Sequence, residues 1–532
     1  MRRVTLAAAL AAALTAALTG IAACAPSVPG QSGSPSAAER GAPASADRLT
    51  IGTTADVVNY NPLVGNSRTD SWVTSLMYPH LMQMDEAGKR TPYLATEWSY
   101  AEDGRSATVK LRDDMKWSDG KPVSADDVVF AVTAVQKEKF GVVAGLITAL
   151  DEAEAVSPTE VRFKLSRPDG TFLDNVGFWL PIVPKHVFEK APSVQKFAND
   201  KDWVSAGPYK LTKVERGQRY IMDRVDDFGP GQPTVKQVVF RVFPDVNTEV
   251  LALRNGEIDM IGNVLPPATA AELKNDAKVK LQEIPSLGWA HLQYNTKRKP
   301  LDDVRVRQAL AHAVDYEAIR NIALKGFAKS SNSSVLTPTL PDYADPSSKE
   351  YAFDPEQSKK LLAEAGQTGL KLGMIYDQAD PNIARWAPMV RDAAKKAGIT
   401  IELQGLERNT YLDKTTKRDF DIYAGSWAVM DNPPANLGLA FKSGGFINYA
   451  QVEDPKLDDL IDQAQRALTA EEARTPIQEA ARIIHDQVYD NVLYVETFNI
   501  AYSAKWTGFK PMPSELLSIL NPLSLASAKP AG

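Results

Sequence analysis

The sequence predicts an α/β protein of two lobes with a strand-rich insertion near its N-terminus. From Leu49 onward, strand and helix signals alternate. Two separate strand–helix–strand units stand far apart in the chain, and no internal repeat of 20–50 residues replaces them with a solenoid.

Val109 and Leu111, then Val161, Phe163 and Leu165, are apolar sets of period two, the mark of half-buried strands. Between them, Ser124-Ala125-Asp126-Asp127 opens a helix over Val128–Val135, with Ser at the N-cap and acids in the first turn. Val238, Phe240 and Val242 predict a strand, Thr248–Leu253 a helix and Ile258–Ile261 a second strand, which is the first unit. Asp302 and Asp303 cap a long helix through Val306, Leu310, Ala313, Val314 and Ile322, spaced to bury one face. Asp354-Pro355 starts another helix, with Pro at its first position, and Gly366 ends it. The second unit is Leu370–Tyr376 as strand, Ile383–Ala397 as helix stopped by Gly398, and Ile399–Leu403 as strand. Phe420–Gly425 is a further strand that runs into the loop Ser426–Pro434.

Composition excludes several classes. At 532 residues, the chain exceeds the ~150 of a typical domain and has room for two or three cores. Hydrophobic residues at 44% and charged residues at 24% are those of a folded chain, not a disordered one. Sixty basic against 66 acidic residues give −6, with no basic stretch carrying interleaved aromatics, so nucleic acid is not the expected partner. The one cysteine, Cys24, permits no intrachain disulfide and no cysteine cluster. Five histidines at 80, 186, 291, 312 and 485 contain no ligand-spaced pair, so neither a metal nor another cofactor is expected.

The N-terminus reads Met1-Arg2-Arg3, then an apolar run from Val4 to Ala23, then Cys24. A basic start, an apolar stretch and small residues before a break predict a secretory signal over 1–23. Its end, Ile21-Ala22-Ala23-Cys24, resembles the lipobox of bacterial lipoproteins, which implies that Cys24 is acylated and begins the mature chain. Ala, Pro, Ser and Gly supply 18 of the 23 residues over 25–47, a composition that tethers rather than packs. No later segment offers 18 continuous apolar residues, so the body is expected to be soluble and extracytoplasmic.

Open α/β sheets bind ligands at the carboxyl ends of their strands. The loop Trp427–Pro434 follows such an end and holds an aromatic, the carboxylate of Asp431 and the amide of Asn432 before two prolines. Those groups suit a small cationic ligand. They equally suit a core Trp and a turn-forming Asp before proline, and the residues alone do not separate the two.

Several segments together resemble the solute-binding family 5 proteins, the peptide- and nickel-type receptors of bacterial ABC importers. Leu94-Ala95-Thr96-Glu97-Trp98, Glu102-Asp103-Gly104 and the long stretch Met115-Lys116-Trp117-Ser118-Asp119-Gly120-Lys121-Pro122-Val123-Ser124-Ala125-Asp126-Asp127-Val128 match its early motifs. Gly207-Pro208-Tyr209, Gly256-Glu257-Ile258-Asp259, Asn295-Thr296 with Leu301–Leu310, and Lys360–Gly366 follow in the family's order. The resemblance implies a periplasmic-binding-protein-like fold of the class II or cluster C type: two hinged lobes joined by two crossovers, with an inserted α+β domain. Carried over, lobe I is 48–77, 201–285 and 496–532, the insertion 78–200, and lobe II 286–495. It also implies a monomer, not an enzyme, that captures a small polar solute and delivers it to permease subunits. Short peptides lead; opine-like compounds, sugars and chelated metals are the other choices.

The Trp117–Gly120 motif is read as a turn with Trp117 packed, and Arg305 and Arg307 as structural ion pairs. In peptide-binding members, a strand-end Trp is followed three positions later by an Asp that pairs with the peptide's amine. Here Trp427 matches, but the third position is Met430 and the acid is Asp431. Matching pocket positions add Asp56, Trp289, His291 and Glu496 to Trp427, Asp431 and Asn432 as ligand-contact candidates; each also suits a core or turn. A hydrolase has no local support: there is no Gly-x-Ser-x-Gly, no His-Glu-x-x-His and no glycine-rich phosphate loop. A receptor that reports occupancy to a signalling partner shares every one of these features.

Overall fold

The computed structural model describes residues 47–64, 67–427, 430–514 and 517–531. The expected signal segment, Cys24 and the tether up to residue 46 lie outside the described residues.

The described residues form a two-lobed α/β body around one long mixed sheet. Its order runs Thr400–Leu406, Lys371–Asp377, Ile422–Trp427, Trp289–Tyr294, Asn491–Ser503, Met260–Ile261, Arg48–Thr53, Gln237–Val242, Arg219–Arg224 and Tyr209–Glu215. The strand Asn491–Ser503 spans both lobes. Its start pairs with the second lobe, His291 opposite Val492, and its end with the first, Leu281 opposite Ala501. Each lobe contains a parallel pair: Ile51 opposite Phe240 in the first, Met374 opposite Leu403 in the second.

Between Met82 and Phe188 the chain builds a separate four-stranded antiparallel sheet: Ala95–Tyr100, Ser106–Leu111, Glu160–Leu165 and Leu150–Ser157. Apolar residues at alternate positions, Val109 and Leu111 on one strand and Val161, Phe163 and Leu165 on another, face a common core. That core continues into the first lobe, so Val109, Phe163 and Phe172 share one cluster with Leu49, Ile51 and Phe240. The second lobe keeps separate cores on its two sheet faces. Leu292 and Met374 pack on Trp386 and Val390 of the helix Pro381–Lys396; Leu437, Ile461 and Ile477 pack on Trp289 and Val492. The insertion thus rides with the first lobe, and the second lobe meets both across a seam.

The early motif is scaffold. Asp127, in the first turn of the helix Ala125–Glu138, accepts Trp117 Nε1–H at 3.1 Å and the Ser124 backbone N–H at 2.9 Å. It also accepts the Lys185 N–H at 2.9 Å. Trp117 is buried, and Gly120 turns at φ 89°. Gly207 is needed for space: a Cβ there would lie 2.1 Å from the Leu76 carbonyl oxygen.

Two expectations need correction. The long helix from residue 304 stops at His312; Asp315 then caps a new turn by accepting the Ala318 N–H, followed by a π-helix over Ile319–Ala323. Because the helix is broken, Ile322 leaves the buried face and is 64% exposed. Arg305 does pair with Asp303 at 2.6 Å. Arg307 instead is buried and donates to the carbonyls of Gln487, Leu301 and Asp302. Burial lowers its pKa, so carbonyl dipoles rather than a carboxylate hold this charge.

Candidate functional site

The seam between insertion and second lobe is built from four short pieces. The insertion supplies Arg90, on the edge strand Arg90–Pro92, with Asp174 and Trp179 on the helix Phe172–Trp179. The second lobe supplies Asp431 and Asn432 from the loop that follows Ile422–Trp427. That loop ends where Asn432 caps the helix Pro433–Phe441: its Oδ1 accepts the Ala435 N–H, and two prolines fix the first turn.

Arg90 faces two carboxylates. Its Nε donates to Asp174 Oδ1 at 2.5 Å and its Nη2 to Asp174 Oδ2 at 3.0 Å. The same Nη2 donates to Asp431 Oδ2 at 2.5 Å, and Trp179 Nε1 donates to that oxygen at 3.0 Å. Asn432 Nδ2 ties back to Asp174 Oδ2 at 3.1 Å. The guanidinium also lies over the Phe178 ring at 4.1 Å. With side-chain exposures of 1% for Asp431, 13% for Arg90 and 23% for Asp174, this is a cluster of one cation and two acids in which Asp431 is the buried member. Burial raises the Asp431 pKa, Arg90 opposes that, and the neighbouring Asp174 adds to it. Burial alone would lower the Arg90 pKa, but the two carboxylates outweigh it and hold the guanidinium charged. Two buried atoms of the cluster have no hydrogen-bond partner: Asp431 Oδ1 and Arg90 Nη1.

Asp431 stands in the wall between two cavities. One, about 280 Å³, has walls from all three parts of the fold: Leu63 and Thr74 of the first lobe, Phe140 and Phe178 of the insertion, and Leu439 of the second lobe. His80 also lines it; burial lowers the His80 pKa to about 4, so the imidazole is neutral. The other, about 220 Å³, lies on the Arg90 side and is lined by Arg90, Asp174, Asp342, Tyr343 and Asn432. Among the described residues no group of three His, Cys, Asp or Glu side chains is placed to hold a metal ion.

The other candidates lie elsewhere, and none lines these two cavities. Trp427 ends its strand opposite Trp289, stacks on Tyr449 at 5.8 Å and meets the edge of His291 at 5.2 Å. Trp289 is wholly buried in a second-lobe core. His291 is wholly buried too, its Nδ1 2.7 Å from Asp490 Oδ2. Asp56 accepts the Gly217 N–H at 3.0 Å and so fastens the turn between Tyr209–Glu215 and Arg219–Arg224. Glu496 sits on the long shared strand opposite Ala328. Burial pushes its pKa up to about 7, Asp380 adds to the rise, and Arg68 opposes it. The sequence reading therefore reached Asp431 and Asn432 but missed Arg90, Asp174, Trp179 and His80. No spacing rule joins Arg90 to partners 84 and 341 positions away.

Similarity to known proteins covers nearly the whole body. A family model for bacterial extracellular solute-binding proteins, family 5 Middle, matches residues 89–448. The chain is 29% identical over 466 residues to a dipeptide-binding protein of Escherichia coli (strain K12), covering 80% of this chain and 85% of that protein. It is 28% identical over 428 residues to the heme-binding protein A of Haemophilus influenzae, covering 74% and 77% respectively. The crystal structure of the ABC transporter substrate binding protein CtaP from Listeria monocytogenes superposes with a TM-score of 0.82 at 25% identity, covering 91% of this chain and 99% of CtaP.

Proposed function

The chain belongs to the bacterial extracellular solute-binding proteins of family 5, and on that premise we propose that it captures a short peptide between its lobes and hands it to an ABC permease. The observation that carries the ligand reading is Asp431 Oδ1, a buried acceptor without a partner in the wall of an apolar cavity. A carboxylate so placed lacks one donor, and a peptide's α-ammonium supplies it; charge-assisted bonds of this kind are the strong ones. The cavity volume of about 280 Å³ sits at the small end of ligand pockets, which run from roughly 300 to 1,000 Å³ and suits a short ligand. The similarity to a dipeptide-binding protein supports the same choice.

In this reading, closure of the second lobe on the insertion excludes water, which strengthens the ammonium–carboxylate contact. Acylated Cys24 tethers the body, as a monomer, to the outer face of the cytoplasmic membrane. Binding is followed by release to the permease, with no bond made or broken. Native mass spectrometry of the protein purified from its own cells tests the ligand class. A bound mass that fragments as a di- or tripeptide is the expected result; a non-peptide solute as the sole retained species overturns the peptide reading.

A further inference from the structure

The larger cavity has a marked charge asymmetry. Among the described residues its lining holds one carboxylate, Asp431, and one neutral imidazole, His80, but no lysine or arginine. The rest is largely aliphatic and aromatic wall, with Phe140, Leu146, Leu180 and Leu439 among it. Arg90 is the cation beside Asp431; its Nε and Nη2 are committed to Asp174 and Asp431, its Nη1 is unpartnered, and the residue lines the other cavity and not this one. Arg68, on the helix that contributes Ser71 and Thr74, does not line the cavity either. A ligand carboxylate inside this cavity would be desolvated with no cation to meet it, which is strongly unfavourable.

We propose that the solute this cavity selects is an apolar monocation: an amine with a hydrophobic body, or a short peptide whose C-terminus is blocked as an amide or ester. The ammonium donates to Asp431 Oδ1 and brings the cluster of Arg90, Asp174 and Asp431 from one net negative charge to none. The hydrophobic body fills the space between Phe140, Phe178 and Leu439. Two unpartnered buried acceptors stand on residues of this lining, Asp431 Oδ1 and His80 Nδ1, and both read donors rather than anions. The peptide form of this ligand rests on the function proposed above; the amine form does not.

Calorimetry on the full chain, using phenethylammonium, Leu-Phe amide and Leu-Phe as the free acid, tests the proposal. The amine and the amide bind, and the free acid binds roughly 100-fold more weakly or not at all, because its carboxylate is left unpaired. Equal or tighter binding of the free acid overturns the monocation assignment while leaving the peptide reading intact. Binding of the amine with neither peptide bound upholds the assignment and removes the peptide reading. Failure of both amine and amide overturns the assignment. Leu439→Trp fills the cavity without touching Asp431, and it should abolish binding of the amine; unchanged affinity in that variant places the amine elsewhere and also overturns the proposal.

Discussion

Arg90 Nη2 lies 2.5 Å from Asp431 Oδ2 and joins the insertion to the second lobe across 341 positions of sequence. The contact does two things at once. It pins the lobe that carries Asp431 against the insertion that carries Trp179, and it occupies one oxygen of a carboxylate whose other oxygen faces no donor. The bridge between insertion and second lobe and the unpartnered oxygen therefore belong to one side chain.

Arg90→Met leaves the buried Asp431 and the half-buried Asp174 without their cation. Breaking one side of a buried ion pair commonly costs about 3–5 kcal/mol. Urea denaturation should show a loss of that order. In a double-mutant cycle, Arg90→Met with Asp431→Asn should lose much less than the two single changes added together. Simple additivity would show that the pair does not couple the lobes.

Gly170 sets how closely the insertion can approach the second lobe. Its N–H donates to the Gln465 carbonyl at 2.8 Å, and a Cβ at this position would lie 1.7 Å from the Ala467 carbonyl oxygen. Gly170→Ala therefore cannot close fully. Solution scattering should give a larger radius of gyration than wild type at saturating ligand, with weakened binding although the residue is not in the larger cavity. An unchanged radius would mean that the seam opens without affecting the lobes.

The difference between what sequence and structure show here follows the range of the interactions. Alternation at Val161, Phe163 and Leu165, the caps at Asp303 and Asp354 and the stop at Gly398 are local, and each appears in the fold at its place. The break after His312 depends on Asp315 capping its own turn, a competitor that the apolar spacing through Ile322 concealed. At the site, Asp431 was legible because it follows a strand end and precedes two prolines. Its partners were not, because Arg90, Asp174 and Trp179 meet it only after two domains have folded. Residue type alone does not place a side chain: Trp289 and His291 suit binding or a core equally, and the fold puts one in a core and pairs the other with Asp490.

Two buried glutamates give stability a pH dependence of defined sign. Burial pushes Glu249 up to about 7, against hydrogen bonds from Asn263, and Glu496 up to about 7 as well. Each folded-state pKa lies above the ordinary 4.5, so the folded protein holds these protons more tightly than the unfolded chain. Their contribution is full below about pH 4.5 and is lost as pH rises towards 7. Each is worth up to about 3 kcal/mol at ~1.4 kcal/mol per pH unit of that window. Urea midpoints should fall between pH 5 and pH 7, and Glu249→Gln and Glu496→Gln should each flatten the slope. A slope unchanged in both variants would assign it to other groups.

Cys24 is the only thiol in the chain. If it carries the lipid, Cys24→Ser should remove incorporation of a tagged fatty acid and release the protein from the membrane fraction. Equal labelling of wild type and variant would remove the lipoprotein reading without touching the ligand site.

The decisive test of recognition is Asp431→Asn, read with a ligand retained by the native protein and the N-acetylated form of that ligand. Loss of one partner of a buried charge pair commonly costs about 2–5 kcal/mol. At ~1.4 kcal/mol per tenfold, the cationic ligand should bind roughly 30-fold more weakly or worse. Wild type should discriminate strongly against the acetylated form, whose nitrogen carries no charge, and Asp431→Asn should lose most of that discrimination. The ratio matters more than either affinity, because the substitution also relaxes the contact with Arg90 and so loosens closure for both ligands alike. Trp427→Ala is the control. Trp427 stacks on Tyr449 and lines neither cavity, so its removal should lower the melting temperature and leave the ratio unchanged. If Trp427→Ala erases the discrimination and Asp431→Asn preserves it, the ammonium sits against the strand end rather than in the seam, and the role given to Asp431 falls.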